Sequence, residues 1–307
     1  MVTRTDFNRY MMPTYKPAEF VPSKARGSWV WDKKNKKYID FASGIAVSSL
    51  GHCHPILNKA LSDQSKKIWH LSNLLTNEPA LRLAKIFCKH TFAEKVFFSN
   101  SGAEAVEGAI KTARKYAYTN INKKKNEIVS FSDAFHGRTM MTIALNGSDR
   151  FIEGFGPMPE GIKHHPFNET KNLEKVITKK TAAVIVELVQ GEAGIIKAKR
   201  DFVQKIKRLC KQNKALIIID EVQSGAGRTG IMGSVVKGAV DANGWTGGSN
   251  VPHIIKLEGL PEGLSSFWLR PDIYTRMEVM IERSDAFIIF PGGAGTCLLY
   301  TSPSPRD

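Results

Sequence analysis

The residues best suited to chemistry stand where short apolar runs give way to polar ones. Asp220 and Glu221 follow the run Ala215 to Ile219, and Val222, Gln223 and the glycine-rich stretch Ser224 to Gly230 come next. In open α/β sheets, ligands bind beyond the carboxyl ends of the strands, which puts Asp220 at a working position; a plain loop-capping role is the alternative. Ser101, Gly102 and Ala103 stand before a helical pattern, with Glu104 at capping-box spacing from Ser101. Free backbone N–H groups at such a start bind anions. Phe135 and Arg138 sit together in Ala134-Phe135-His136-Gly137-Arg138, and Glu187 ends another apolar run. A phosphate held at Ser101, Gly102 and Ala103, a ring stacked between Phe135 and Val222, and a protonated ring nitrogen against Asp220 describe one ligand. It is a flat, phosphorylated, nitrogen-containing ring used as an electron sink. Arg138, with its planar fork, would then face a substrate carboxylate.

These positions require alternating strands and helices. Ala215 to Ile219 is apolar and β-branched, as suits a strand buried on both faces of a parallel sheet. Further strands are expected at Lys95–Ser99, Glu127–Phe131 and Ala183–Val186. Helices are expected at Pro55–Ile68, Ala80–His90, from Ser101 onward and at Asp201–Gln212. In the last of these, Phe202, Val203, Ile206 and Leu209 form the apolar face. Residues 1–45, with Pro13, Pro17, Pro22 and Gly27, read as an extended arm with a hairpin around Asp32 to Lys37. The fold class is α/β.

Composition narrows the field. At 307 residues, with 42% hydrophobic and 24% charged residues, the chain has the make-up of about two globular domains. The net charge of +15 permits anionic ligands, but the lysines are scattered and form no stripe interleaved with aromatics, which argues against nucleic acid. Four widely spaced cysteines, no membrane-length apolar run and no signal-peptide core lead to the expectation of a cytoplasmic protein with reduced thiols and no membrane association. His52-Cys53-His54 lacks a second ligand pair, so no metal is expected.

Residues 1 to about 230 resemble the class III pyridoxal-phosphate-dependent aminotransferases, in particular those of acetylornithine/succinyldiaminopimelate type. The resemblance rests on Tyr15-Lys16-Pro17-Ala18-Glu19-Phe20, Asp40 to Val47, Leu50 to Pro55, Thr76 to Leu83, Asn100 to Ala105, Phe135-His136-Gly137-Arg138 and Asp220-Glu221-Val222-Gln223. It implies a fold-type I large domain and pyridoxal 5′-phosphate as cofactor. Gly102 and Ala103 would contact its phosphate, Phe135 its ring, Asp220 its pyridinium, and Gln223 would lie near its ring hydroxyl. Arg138 would bind the substrate carboxylate, and Glu187 would lie near the substrate side-chain pocket. The reaction implied moves an amino group from N-acetylornithine, or a related ω-amino donor, to 2-oxoglutarate in arginine and lysine biosynthesis, in a homodimer.

After Gly230 that pattern stops. Neither Lys237 nor Lys256 has the context of the family's Schiff-base lysine, so no catalytic residue is assigned. Residues 228–296 instead resemble Lonely-Guy-type phosphoribohydrolases, long labelled lysine-decarboxylase-like. Arg276 matches the family's active-site arginine, and Gly292, Gly293, Gly295 and Thr296 form a phosphate-binding nest. Residues 297–307 read as a translated sequencing adapter. The expected division is an arm (1–45), a partial cofactor-binding large domain (46–230), a partial Rossmann-like fragment (231–296) and a non-native tail (297–307). The whole is expected to be a chimera without transaminase activity; nucleotide binding by the C-terminal fragment is the alternative function.

Overall fold

A computed structural model describes residues 3–224, apart from 41, 43, 45–47, 49, 73 and 91–92, together with residues 247–250 and 266–269. The chain divides into two compact units, one containing residues 1–83 and 235–291, the other residues 84–234.

The first unit opens with a helix, α1 (Arg4–Tyr10), where the sequence suggested an extended arm. The cause is local: the Thr3 N–H donates to Asp6 Oδ2 at 2.7 Å, so a first-turn acid satisfies a donor that would otherwise be unpaired. Strands β1 (Pro22–Arg26), β2 (Trp29–Asp32) and β3 (Lys37–Ile39) form an antiparallel meander. The expected hairpin is its β2–β3 turn. Asp32 builds it by accepting from the N–H groups of Lys34 (2.8 Å) and Lys36 (2.9 Å), with Asn35 in the left-handed region. Helix α2 (Pro55–Ser65) follows with proline in its first turn, and α3 (Glu78–His90) crosses the division between the units.

The second unit carries the parallel sheet. Residues 95–99 join no ladder; Phe97 and Phe98 are exposed there, so the expected first strand is absent among the described residues. Helix α4 (Gly102–Asn120) begins where Ser101 Oγ accepts the Glu104 N–H at 3.2 Å. Then come β4 (Glu127–Phe131), the short helices α5 (Met140–Leu145) and α6 (Asp149–Ile152), β5 (Ile162–His165), α7 (Leu173–Val176) and β6 (Thr181–Val186). A small antiparallel pair, β7 (Val189–Gln190) and β8 (Ile196–Lys197), precedes α8 (Arg200–Asn213) and β9 (Leu216–Ile219). The sheet order is β5-β4-β6-β9, and every pairing in it is parallel.

Strand alternation sends side chains to two cores. Val184 and Val186 of β6 pack with Val129, Phe131, Phe202, Ile206 and Leu209, against α8. Ala183 and Ile185 pack with Val106, Ile110, Ala113 and Ile128, against α4. Buried on both faces, β6 is the strand that the sequence reading took β9 to be. Among the described residues β9 is an edge strand: it pairs only with β6, and Leu216, Ile217 and Ile219 are exposed. A last parallel pair, β10 (Gly247–Asn250) and β11 (Ser266–Leu269), belongs to the first unit.

Candidate active site

The carboxyl ends of β4, β6 and β9 lie side by side, because the three strands are neighbours and run in parallel. Each releases a functional residue into the loop that follows it. Asp220, just past β9, is buried, and its N–H donates to Val186 O at 3.0 Å, which prolongs the β6–β9 ladder by one step. Its Oδ2 lies 2.7 Å from His136 Nδ1, and its Oδ1 accepts the Val222 N–H at 3.0 Å. A carboxylate oxygen only accepts, so His136 is the donor through Nδ1. The imidazole is buried, and its Nε2 has no partner among the described residues.

Glu187, at the end of β6, is likewise buried; its Oε2 accepts the Phe135 N–H at 3.0 Å. Burial pushes this carboxyl up to about 7, against the lowering effect of the Phe135 N–H. The Phe135 N–H thus ties Glu187 to the loop after β4. Beside Asp220, Glu221 is raised above its ordinary value by burial and by the neighbouring Asp220 charge. The ring of Phe135 is half-buried, meets Phe151 edge-on at 5.8 Å, and has the Arg138 guanidinium 5.9 Å from its centroid.

The start of α4 closes the group. A Cβ added to Gly102 would sit 2.7 Å from Val222 Cγ1, so the absence of a side chain lets the helix start touch the loop after β9. Gly137, at φ +129°, brings the loop after β4 equally close: its Cβ would meet Ala103 Cβ and Thr142 Oγ1, each at 2.8 Å. Gln223 packs against Gly191, after β7. Ser101 spends its hydroxyl on the helix cap. The structure therefore gathers Gly102, Ala103, Phe135, Arg138, Glu187, Asp220, Val222 and Gln223 around three strand ends and one helix start.

Sequence reasoning did not single out His136 or Asn146. Asn146 Oδ1 accepts the His136 N–H at 2.7 Å, and its Nδ2 donates to Gly137 O at 3.2 Å. His136 stood inside a quoted motif, and its type alone could have flagged it; Asn146 carried no such signal. Arg276, Gly292, Gly293, Gly295 and Thr296 lie outside the described residues, as does the glycine-rich stretch after Ser224. Among the described residues, no group of three or more His, Cys, Asp or Glu side chains could hold a metal, and no helix is long and apolar enough to cross a membrane.

A family model described as aminotransferase class-III matches residues 10–237, and one described as possible lysine decarboxylase matches residues 232–298. The chain is 54% identical over 230 residues to an acetylornithine/succinyldiaminopimelate aminotransferase of Buchnera aphidicola, covering 75% of this chain and 56% of that protein. It is 52% identical to the acetylornithine aminotransferase of Vibrio cholerae, covering 75% of this chain and 57% of that one. Among solved structures it is similar to ornithine aminotransferase from Toxoplasma gondii, with TM-score 0.67 and 28% identity over 72% of this chain and 53% of the other. It is also similar to N-acetylornithine aminotransferase from Stenotrophomonas maltophilia, with TM-score 0.59 and 36% identity over 73% and 55%. The chain spans a little over half the length of the curated relatives it matches. By the match over residues 10–237, with the strand ends arranged as above, the chain belongs to the class-III aminotransferase family.

Proposed function

We propose that residues 1–230 are the cofactor-binding portion of an aminotransferase that takes an amino group from N-acetylornithine, or a closely related ω-amino donor, to 2-oxoglutarate. The observation that carries this reading is the convergence of Asp220, Phe135 and the Gly102 helix start on one end of a parallel sheet. The residues fit pyridoxal phosphate. Asp220 is a buried carboxylate with its orientation fixed, and the α4 start has a glycine where a Cβ would collide with Val222. When bound, the cofactor supplies an electron sink at the carbon that loses or gains the amino group.

The chain's own residues do the rest. Backbone N–H groups of Gly102 and Ala103 would hold the phosphate with the favourable end of the helix dipole. Phe135 and Val222 would pack on the ring, Asp220 would keep its nitrogen protonated, and Gln223 would serve its hydroxyl. Arg138, next to Phe135, binds a substrate carboxylate in two-point fashion. Glu187 anchors Phe135 by accepting its N–H, and would lie near the substrate side-chain pocket. Relatives named as acetylornithine or succinylornithine enzymes support this choice of donor; a place in arginine biosynthesis, a cytoplasmic location and a homodimer belong to the same proposal.

The same reading includes the division at residues 45, 230 and 296. The aminotransferase match ends at residue 237, and the second match takes over at 232. This supports a fusion of two families near residue 232; the absence of a Schiff-base lysine and the loss of turnover are part of the proposal and rest on the sequence pattern after Gly230. A second activity, nucleotide binding through Arg276 and residues 292–296, is favoured only by that second match. Titration with pyridoxal phosphate, ending in borohydride reduction and peptide mapping, tests the proposal. Asp220→Ala should weaken binding more than Glu221→Ala does, since breaking a buried ionic pair costs about 3–5 kcal/mol. No lysine should be labelled stoichiometrically. Equal effects of the two substitutions, or one fully labelled lysine, would refute it.

A further inference from the structure

Residues 134–139 carry both Phe135 and Arg138, and side chains from outside the loop hold it. Glu187 accepts the Phe135 N–H, Asn146 holds the His136 N–H and the Gly137 carbonyl, and Thr142 Oγ1 accepts the Thr139 N–H at 2.8 Å. A further bond comes from α4: Thr139 Oγ1 donates to Glu107 Oε1 at 2.7 Å. Glu107 lies one turn beyond Ala103, and residues four apart share a helix face. On that face Ala103 packs against Gly137, where an added Cβ would come within 2.8 Å. Glu107 meets Thr139, two residues further along the loop. The two contacts bracket Arg138 and fasten its main chain to the helix whose start is the candidate anion site. Thr139 is exposed and Glu107 half-buried, so the bond adds only modestly to overall stability. What it fixes is where the Arg138 backbone stands.

We infer that Glu107, acting through Thr139, is a positioning residue for the carboxylate clamp. It sets the separation between the phosphate end of the site, at Gly102 and Ala103, and the base of the Arg138 side chain. This inference rests on the pyridoxal-phosphate reading and adds to it a determinant of substrate choice. With both ends tied to one helix, the site suits a donor whose carboxylate stands at one particular reach from its reacting amine. Loss of the bond should therefore weaken ligands that carry this carboxylate and spare those that lack it.

The test uses the full chain and two probes, made by reductively joining pyridoxal 5′-phosphate to N-acetylornithine or to N-acetylputrescine, the same amine without its carboxylate. In Glu107→Ala and in Thr139→Val, affinity for the first conjugate should fall about fivefold, as for loss of one hydrogen bond, and affinity for the second less than about twofold. The double variant should lose little more than the larger single loss, because both substitutions remove the same bond. Thr139→Ser keeps the hydroxyl and should bind both conjugates as the parent does. Equal losses for the two probes, no loss for either, or a Thr139→Ser as weak as Thr139→Val would overturn the inference while leaving the cofactor reading intact. A parent chain that binds both conjugates equally well would overturn the Arg138 clamp and the inference with it. A parent chain that binds neither would overturn the cofactor reading as well.

Discussion

Three ionisable side chains, Asp220, His136 and Glu187, are buried at the ends of β6, β9 and the loop after β4. Asp220 has the His136 and Val222 donors on it, whereas Glu187 accepts the neutral backbone N–H of Phe135, and burial dominates there. The consequence for pH can be worked out by sign. The folded-state value of about 7 lies above the ordinary 4.5, so the native chain keeps a proton that the unfolded chain releases across that window. Stability from this group is complete below about 4.5 and is lost as pH rises through about 7. Glu187→Gln cannot ionise, so its stability relative to the parent should rise by roughly 2–3 kcal/mol between pH 5 and pH 8. Urea unfolding at the two pH values measures this, and a constant difference would show that Glu187 is not buried as a free carboxyl. Asp220 and Glu187 stood out in the sequence as polar residues that end apolar runs, whereas Phe135 and Arg138 were picked from the loop Ala134 to Arg138. The type of His136 could have flagged it, but its contact with Asp220, 84 positions along the chain, leaves no mark in the spacing.

Individual elements were read well where local chemistry decides them. The Ser101–Glu104 spacing gave the start of α4, and the apolar periodicity of Phe202, Ile206 and Leu209 gave α8 nearly to its ends. The readings that failed depended on neighbours. Among the described residues, Lys95–Ser99 has strand-like composition but no ladder partner, and Leu216–Ile219 is apolar enough for the sheet interior yet lies at its edge. Close approach between elements was equally invisible. Gly137 reads as a loop glycine, but its positive φ and its contacts with Ala103 and Thr142 make it the point where the loop after β4 meets α4. Gly137→Ala should destabilise the chain by about 1–3 kcal/mol through overpacking and backbone strain. Gly154→Ala, also at positive φ but with nothing within 4 Å, should lose less, since strain acts there alone. Thermal or urea unfolding of both variants checks the order; equal losses would mean that the packing at Gly137 is unimportant.

Across the whole chain, the described residues leave much apolar surface uncovered. Leu57, Leu61 and Trp69 are exposed in the first unit, and Ile217 and Ile219 along β9 in the second. A match to just over half of each relative's length explains this if the remaining part of such a protein normally covers these faces. The central claim, that residues 1–230 hold an intact cofactor cradle and carboxylate clamp, is then open to a direct measurement. Residues 1–230 are joined at Gly230 to the corresponding C-terminal part of an acetylornithine aminotransferase, and glutamate formation from N-acetylornithine and 2-oxoglutarate is followed. The expected result is restored turnover without residues 231–307, reduced at least about tenfold by Arg138→Lys, because an ammonium cannot reproduce the two-point grip on a carboxylate. A hybrid that folds and binds pyridoxal phosphate, yet turns over no ω-amino donor, would contradict it.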